Sequence, residues 1–551
     1  MQLTTRVYFA GLAMLCGCGT SDKGNGVPGS PDAASDASST TPPDAADNPD
    51  GPSKPSTDGG ACSSNLECTE RATMAALDAG KVPDGPEHVV PAICVRSEGR
   101  CAELLSEDCS KVTGNYKDTD AIVIATLLST AGVQSATNLQ RQQAAALAVE
   151  QIDAVGGIPA VMKGGSPRPL VMVSCDEGTN LMRAARHLVS DLRVQVIVGP
   201  NTSQDTLDVA NNLTIQEGTL LITPTAVASS ITDLVDNDLS WLMVPSDAQR
   251  GKLMINQINA IEQDRKTAGK TAVRLAVIYR NDALGTGTRR SLDDLVLNGR
   301  PLSDPINAGS PTGNVILEGY EVSATDQNAL VARLVTFAPD IVVLAGTAEA
   351  ITTVMNPLEQ QWPDAGSARP AYLLIDSVKV PELIAAAANA DLRARIRGSG
   401  LRPGPESQPI ATAFELDFRA RYGMTPTASG VGPSYDATYA IAYALAATHD
   451  QPISGASMAK GLRKLAGGST VVTVGASSLA TAFTRLGASE NITSIGTCGP
   501  FDWDARGAIK GGVIEVWCIG APAGTPAYQS SGLAYDVKSD TFSGNFMRCS
   551  P

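Results

Sequence analysis

The chain predicts an α/β fold of parallel sheets crossed by helices. From about Asp118 onward the runs "AIVIATLL" (121–128), "PLVMVSC" (169–175), "VQVIVG" (194–199), "TLLITP" (219–224), "VRLAVIYR" (273–280), "DIVVLAG" (340–346) and "AYLLID" (371–376) recur. Each is short and nearly continuously apolar, as strands buried on both faces are. Between them stand longer segments of helical character, such as "NLQRQQAAALAVEQIDA" (138–154) and "LMRAARHLVSDL" (181–192). Strand, helix, strand in this order makes parallel sheets with crossover connections. At 551 residues the chain is too long for one ordinary core and predicts two or three domains.

Composition sets the class. The residues are 43% hydrophobic, 18% charged and 4% aromatic, as in a soluble globular protein. A net charge of -15 without a basic face excludes nucleic acid as a partner. The three histidines, His88, His187 and His449, stand in no metal-ligand spacing, so neither a metal nor a cofactor is expected. They also assemble no triad with a serine and an aspartate, and G-x-S-x-G is absent. "AGKT" (268–271) has Asp264 where a P-loop needs glycine and precedes a strand, and "GTGTRR" (285–290) lacks the third glycine of a dinucleotide fingerprint.

The N-terminus directs the chain out of the cytoplasm. Residues 1–18, "MQLTTRVYFAGLAMLCGC", combine Arg6 with an apolar run of signal-peptide length, too short to span a bilayer. The closing "LCGC" resembles the bacterial lipobox, which implies lipidation of Cys18. Cys16 does not fit, because Met14 and Leu15 precede it. Residues 19–61 are Gly, Ser, Pro, Ala, Thr and Asp with few others, and the segment is expected to be a disordered linker. A coil of that length spans on the order of 40 Å and would hold a globular body off a membrane.

Nine cysteines follow, and in an oxidising compartment most should pair. Five of them between Cys62 and Cys109 predict a small stapled extension over 62–117, ahead of the main fold. Near the C-terminus, "CGPFDWDARGAIKGGVIEVWC" has strand-like arms around a turn containing Gly507, with Cys498 and Cys518 each ten residues from Ala508. A regular hairpin centred there predicts a Cys498–Cys518 disulfide. A bulge or an offset turn would instead point the sulfurs to opposite faces.

One turn stands out. In "VIVGPNTSQDTLDVANNL" (196–213) a strand stops at Gly199-Pro200, Thr202 or Ser203 caps a helix, and Leu207, Ala210 and Leu213 follow at helical spacing. The exposed amides at such a helix start suit a carboxylate, phosphate or carbonyl oxygen. Its place beyond the carboxyl end of a strand is where open parallel sheets bind ligands.

Seven segments together resemble the type I periplasmic binding proteins, the branch of the leucine/isoleucine/valine-binding proteins of ABC transporters. They are "LAVEQIDAVGGIP" (147–159), "VIVGPNTSQDTLDVA" (196–210), "LLITPTA" (220–226), "MVPSDAQRGKL" (243–253), "VIYRNDALGTG" (277–287), "YDATYAIAYAL" (435–445) and "GPFDWDARGAIKG" (499–511). The resemblance implies two doubly wound parallel-sheet lobes joined by a three-strand hinge, with a ligand held between them. Lobe one would hold 118–244 plus 398–496, lobe two 245–397 plus 497–525, and 526–551 would form a C-terminal tail.

The resemblance also implies a site. Ser203, with Thr202 beside it, matches the position that takes a ligand carboxylate. Thr225 and Ala226 match a segment adding backbone hydrogen bonds, and Asp376 matches the acid that pairs with the ligand's ammonium. Ser129 and Thr130 lie where the first loop faces the cleft. Val227 stands where a carboxylate-binding threonine is usual, and Leu284 where a tyrosine is frequent. Both departures make the cleft more aliphatic, which turns the expectation from a standard amino acid toward a more apolar small carboxylate or amide. The function implied is a lipid-tethered, non-enzymatic solute receptor that feeds an ABC importer. The alternative is a ligand-sensing or structural envelope lipoprotein without a transporter. Gly19 is not the aspartate that retains enteric lipoproteins at the inner membrane, which leaves inner or outer membrane open.

Overall fold

The computed structural model describes residues 61–81, 88–131, 135–160, 165–308, 312–363 and 368–549. The expected export signal, the lipidation site Cys18 and the linker up to Gly60 lie outside the described residues. Among the described residues no helix is long and apolar enough to cross a membrane.

The N-terminal module is a helix, Asn65–Asp78, packed on a hairpin of β1 (Ala92–Val95) and β2 (Arg100–Glu103). Two disulfides staple it, Cys62–Cys94 and Cys68–Cys101. The sulfurs of Cys62, Cys68 and Cys101 lie close together, but all three are bonded in these bridges and offer no thiolate to a metal. The chain then enters the first sheet through β3 (Cys109–Thr113), followed by β4 (Ile122–Leu128), β5 (Leu170–Asp176), β6 (Val196–Val198), β7 (Leu220–Thr223) and β8 (Ser240–Leu242). The spatial order is β3-β5-β4-β6-β7-β8, parallel except for β3, which runs antiparallel to β5 and is bonded to it through Cys109–Cys175.

The second sheet contains β9 (Leu275–Arg280), flanked by the small hairpin β10 (Val296–Leu297) and β11 (Arg300–Pro301), then β12 (Val315–Tyr320), β13 (Ile341–Ala345), β14 (Ala371–Leu374) and β15 (Ile396–Arg402). The chain leaves it for helices that pack on the first sheet and for the parallel pair β16 (Thr470–Thr473) and β17 (Ile492–Ile495). It returns as β18 (Val513–Gly520), β19 (Ala527–Asp536) and β20 (Thr541–Ser543). The order β12-β9-β13-β14-β15-β18-β19-β20 is parallel through β15 and antiparallel beyond it. The fold is therefore two α/β lobes, and the chain passes between them three times.

Burial explains the apolar runs. In β13, Ile341, Val343 and Ala345 enter one core, while Val342 and Leu344 enter the core on the opposite face. In β4, Ile122 and Ile124 pack on one side and Ala125 and Leu127 on the other. All seven runs become strands, because a side chain on either face loses water and an apolar one gains about 25 cal/mol per Å² buried.

The expected Cys498–Cys518 bond is corrected: Cys518 is bonded to Cys549, with a Cα separation of 5.8 Å, and Cys498 is disulfide-bonded but not to Cys518. Both edges of β18 are already taken, by β15 and β19. The arm 498–504 makes only single bridges, Ile495 with Pro500 and Trp503 with Ile509. The latter centres the turn on Arg506 instead of Ala508, a register in which Cys498 would face Ile514, four residues short of Cys518.

The third crossing is fastened by a buried acid. Asp436, on the helix Val431–Ala447, is 1% exposed and accepts hydrogen bonds from Thr497 N (3.0 Å) and Thr497 Oγ1 (2.9 Å). Burial pushes its carboxyl up to about 7, against these hydrogen bonds. A carboxyl raised in the folded state stabilises the fold fully below its unfolded pKa of about 4, and that stabilisation is lost as pH rises toward 7. The stability difference between wild type and Asp436→Asn should therefore shift against wild type by about 2–4 kcal/mol between pH 4 and pH 8. Urea titrations at the two pH values measure it, and a pH-independent difference contradicts the assignment.

Candidate functional site

Strand β6 is followed by Gly199, where an added Cβ would collide with Leu127 O, so only glycine fits. The chain turns through Asn201, whose N–H donates to Glu177 Oε2 at 2.8 Å. The helix Ser203–Val209 then begins. Its cap is Thr202, whose Oγ1 accepts from Asp205 N at 3.0 Å. With the cap supplied by its neighbour, Ser203 turns its Oγ to the next loop, where it accepts from Val227 N (3.1 Å) and Ala228 N (3.2 Å).

The loop after β7 is stitched to this turn at further points. Thr223 Oγ1 donates to Pro200 O at 2.8 Å, and Thr225 Oγ1 donates to Asn201 O and, at 3.1 Å, to Asn201 Oδ1. Ala226 is fully buried in a small apolar cluster with Ala228, Ile231, Leu242 and Ala283, the last from the second lobe. Ser129, beyond β4, is 4% exposed beside Gly178, and its neighbour Thr130 donates N–H to Asp176 Oδ1 at 2.7 Å.

Val227 of the first lobe lines a cavity together with Leu284, Met254, Ile375 and Asp376 of the second. Its volume is ≈ 20 Å³, room for about one water. The cavity thus brings together three of the expected residues, Val227, Leu284 and Asp376, with Ser203 one hydrogen bond behind Val227. Thr202, Thr225, Ala226 and Ser129 are absent from its lining, and the hydroxyls of Thr202 and Thr225 hold the helix start and the turn.

Two further residues of the lining, Asp247 and Arg250, come from the start of the helix Asp247–Thr267. Arg250 is 7% exposed, donates Nε to Pro245 O at 2.8 Å, and aims Nη1 at both oxygens of Asp376, 3.2 and 3.1 Å away. Asp247 Oδ1 accepts from Ser229 N (3.1 Å) and Ala248 N (2.6 Å), which ties the helix start to the first lobe. Its other oxygen, Oδ2, is buried without a hydrogen-bond partner among the described residues. Burial raises the carboxyl of Asp247 above the usual range, against the side chain and N–H of Ser229, the N–H of Ala248 and the charge of Arg250.

A family model described as "periplasmic binding protein" matches residues 121–480, well over half of the chain. The chain belongs to the periplasmic binding protein family. Solved structures agree in fold. The branched-chain amino acid transporter substrate-binding protein LivJ from Streptococcus pneumoniae, in complex with isoleucine, is 19% identical and has a TM-score of 0.52, covering 74% of this chain and 99% of that one. A leucine-binding protein LivK from Thermotoga maritima is 16% identical with a TM-score of 0.52, over 74% and 98% of the two chains. A type 1 periplasmic binding protein from Bordetella pertussis is 16% identical with a TM-score of 0.51, over 75% and 100%. Among curated proteins none matches significantly.

In this binding protein the sequence pointed to the turn and to Asp376, but it missed the guanidinium that neutralises Asp376. Arg250 stands in "SDAQRGKL", where a charge reads as part of a solvated helix face. The proximity of Asp376, 126 residues away, has no local signal. Asp247 was hidden in the same segment, its position one after Ser246 suggesting only the acidic first turn of a helix.

Because Ser203 satisfies two buried N–H groups, its removal is expected to disturb the fold itself. Ser203→Ala should lower stability by about 1–3 kcal/mol, the cost of leaving buried donors unmade. Denaturant unfolding checks this, and an unchanged midpoint would return Ser203 to the role of a bystander.

Proposed function

We propose that the protein is an extracytoplasmic solute-binding lipoprotein, tethered through Cys18, that captures a small ligand between its two lobes and delivers it to an ABC importer. The ligand is amino-acid-like or a more apolar carboxylate or amide. The observation that carries the reading is the shared cavity: Val227 comes from one lobe and Leu284 and Asp376 from the other, so a molecule seated there touches both. Membership of a solute-binding family supports it, as do the isoleucine and leucine named for the similar proteins of known structure. The aliphatic lining, Val227, Met254, Leu284 and Ile375, favours a ligand with an apolar body. The protein acts by binding and release, with no chemistry on the ligand. A sensing lipoprotein without a transporter is the second reading, favoured by Gly19 after the lipidation cysteine.

A cavity that admits one water must open to receive a ligand, so the lobes separate and close around it. Small-angle scattering of the protein without its signal peptide should give a smaller radius of gyration at saturating ligand than without. An unchanged radius would contradict capture by lobe closure.

A further inference from the structure

We propose that the acid that receives the ligand's positive nitrogen is Asp247, not Asp376, and that the ligand is an aliphatic molecule bearing a protonated amine. This rests on the solute-binding reading above. Both acids line the same cavity, but they are in opposite states. The oxygens of Asp376 face Arg250 Nη1 at 3.2 and 3.1 Å. Lys379 stands near as well, its Nζ and the Asp376 Cβ lying 3.1 and 3.3 Å from one point beside Gly400. An ammonium brought to Asp376 would meet a carboxylate already paired with one cation and approached by a second, and like charges a few ångströms apart repel strongly in a partly dry cleft.

Asp247 is the complement. It is 3% exposed, its Oδ1 is fixed by two backbone N–H groups, and its Oδ2 has no hydrogen-bond partner among the described residues. A buried acceptor left unmade is costly, and a donor from the ligand removes that cost. Gly287 of the helix Ala283–Arg290 packs against Oδ2, and a Cβ at that position would collide with it. Leu284 and Thr288 on the same helix line the cavity together with Asp247.

The test is titration calorimetry with leucine, its des-amino counterpart 4-methylpentanoate, and 3-methylbutylamine, which lacks the carboxylate. Wild type should bind leucine at least tenfold more tightly than 4-methylpentanoate, and 3-methylbutylamine should bind measurably. Asp247→Asn should abolish the preference for leucine. Gly287→Ala keeps every charge while crowding Oδ2 and should weaken leucine at least tenfold, which keeps the test decisive should the asparagine variant not fold. Equal or tighter binding of 4-methylpentanoate to wild type overturns this proposal while leaving the solute-binding reading intact. A preference lost in Asp376→Asn but kept in Asp247→Asn returns the role to Asp376 and also overturns it. Binding of none of the three probes to wild type overturns the solute-binding reading for small aliphatic ligands, and this proposal with it.

Discussion

The buried ion pair between Arg250 and Asp376 sets the electrostatics of the cleft. Arg250 sits one turn into the helix that follows the first crossing, and Asp376 opens the short turn after strand β14 of the second sheet, so the pair joins the crossing to the lobe it enters. Buried pairs of this kind repay their desolvation only when their remaining hydrogen bonds are made. Arg250 meets that condition through Pro245 O, a backbone carbonyl of the crossing itself. The arrangement pairs the acid that the family resemblance assigns to the ligand, while Asp247, on the same helix as Arg250, keeps one oxygen without a hydrogen-bond partner among the described residues.

A second constraint acts on the opposite wall. The turn 199–203 and the loop 223–228 hold each other through Ser203, Thr223 and Thr225, all buried. Hydroxyls that the sequence offers as ligand contacts are satisfied by backbone, and the wall they form is rigid. Two segments that satisfy each other's buried polar groups hold this wall in one arrangement.

How much of this was legible follows from what each feature depends on. Seven of the parallel strands were legible because burial on both faces leaves an uninterrupted apolar run. Strand β3, "CSKVT", and strand β19, "AYQSSGLAYD", carry polar residues at sheet margins and show no such run. The C-terminal register was misread for a related reason. Which strand pairs with β18 is a long-range matter, and β15, over a hundred residues earlier, took the edge that a local hairpin would have used. In the site, Val227 and Leu284 were legible as departures from a family pattern. Arg250 was not, because a buried charge on a helix looks like a solvated one until its partner is in place.

The attachment of the N-terminal module has a mechanical consequence. Strand β3 runs straight from that module into the first sheet, and the Cys109–Cys175 bond welds the junction. A pull on the module is therefore delivered to the first lobe. Arg250, Asp376 and the antiparallel margin β18–β20 stand on the other lobe. The module and the first lobe are thereby one covalently braced body.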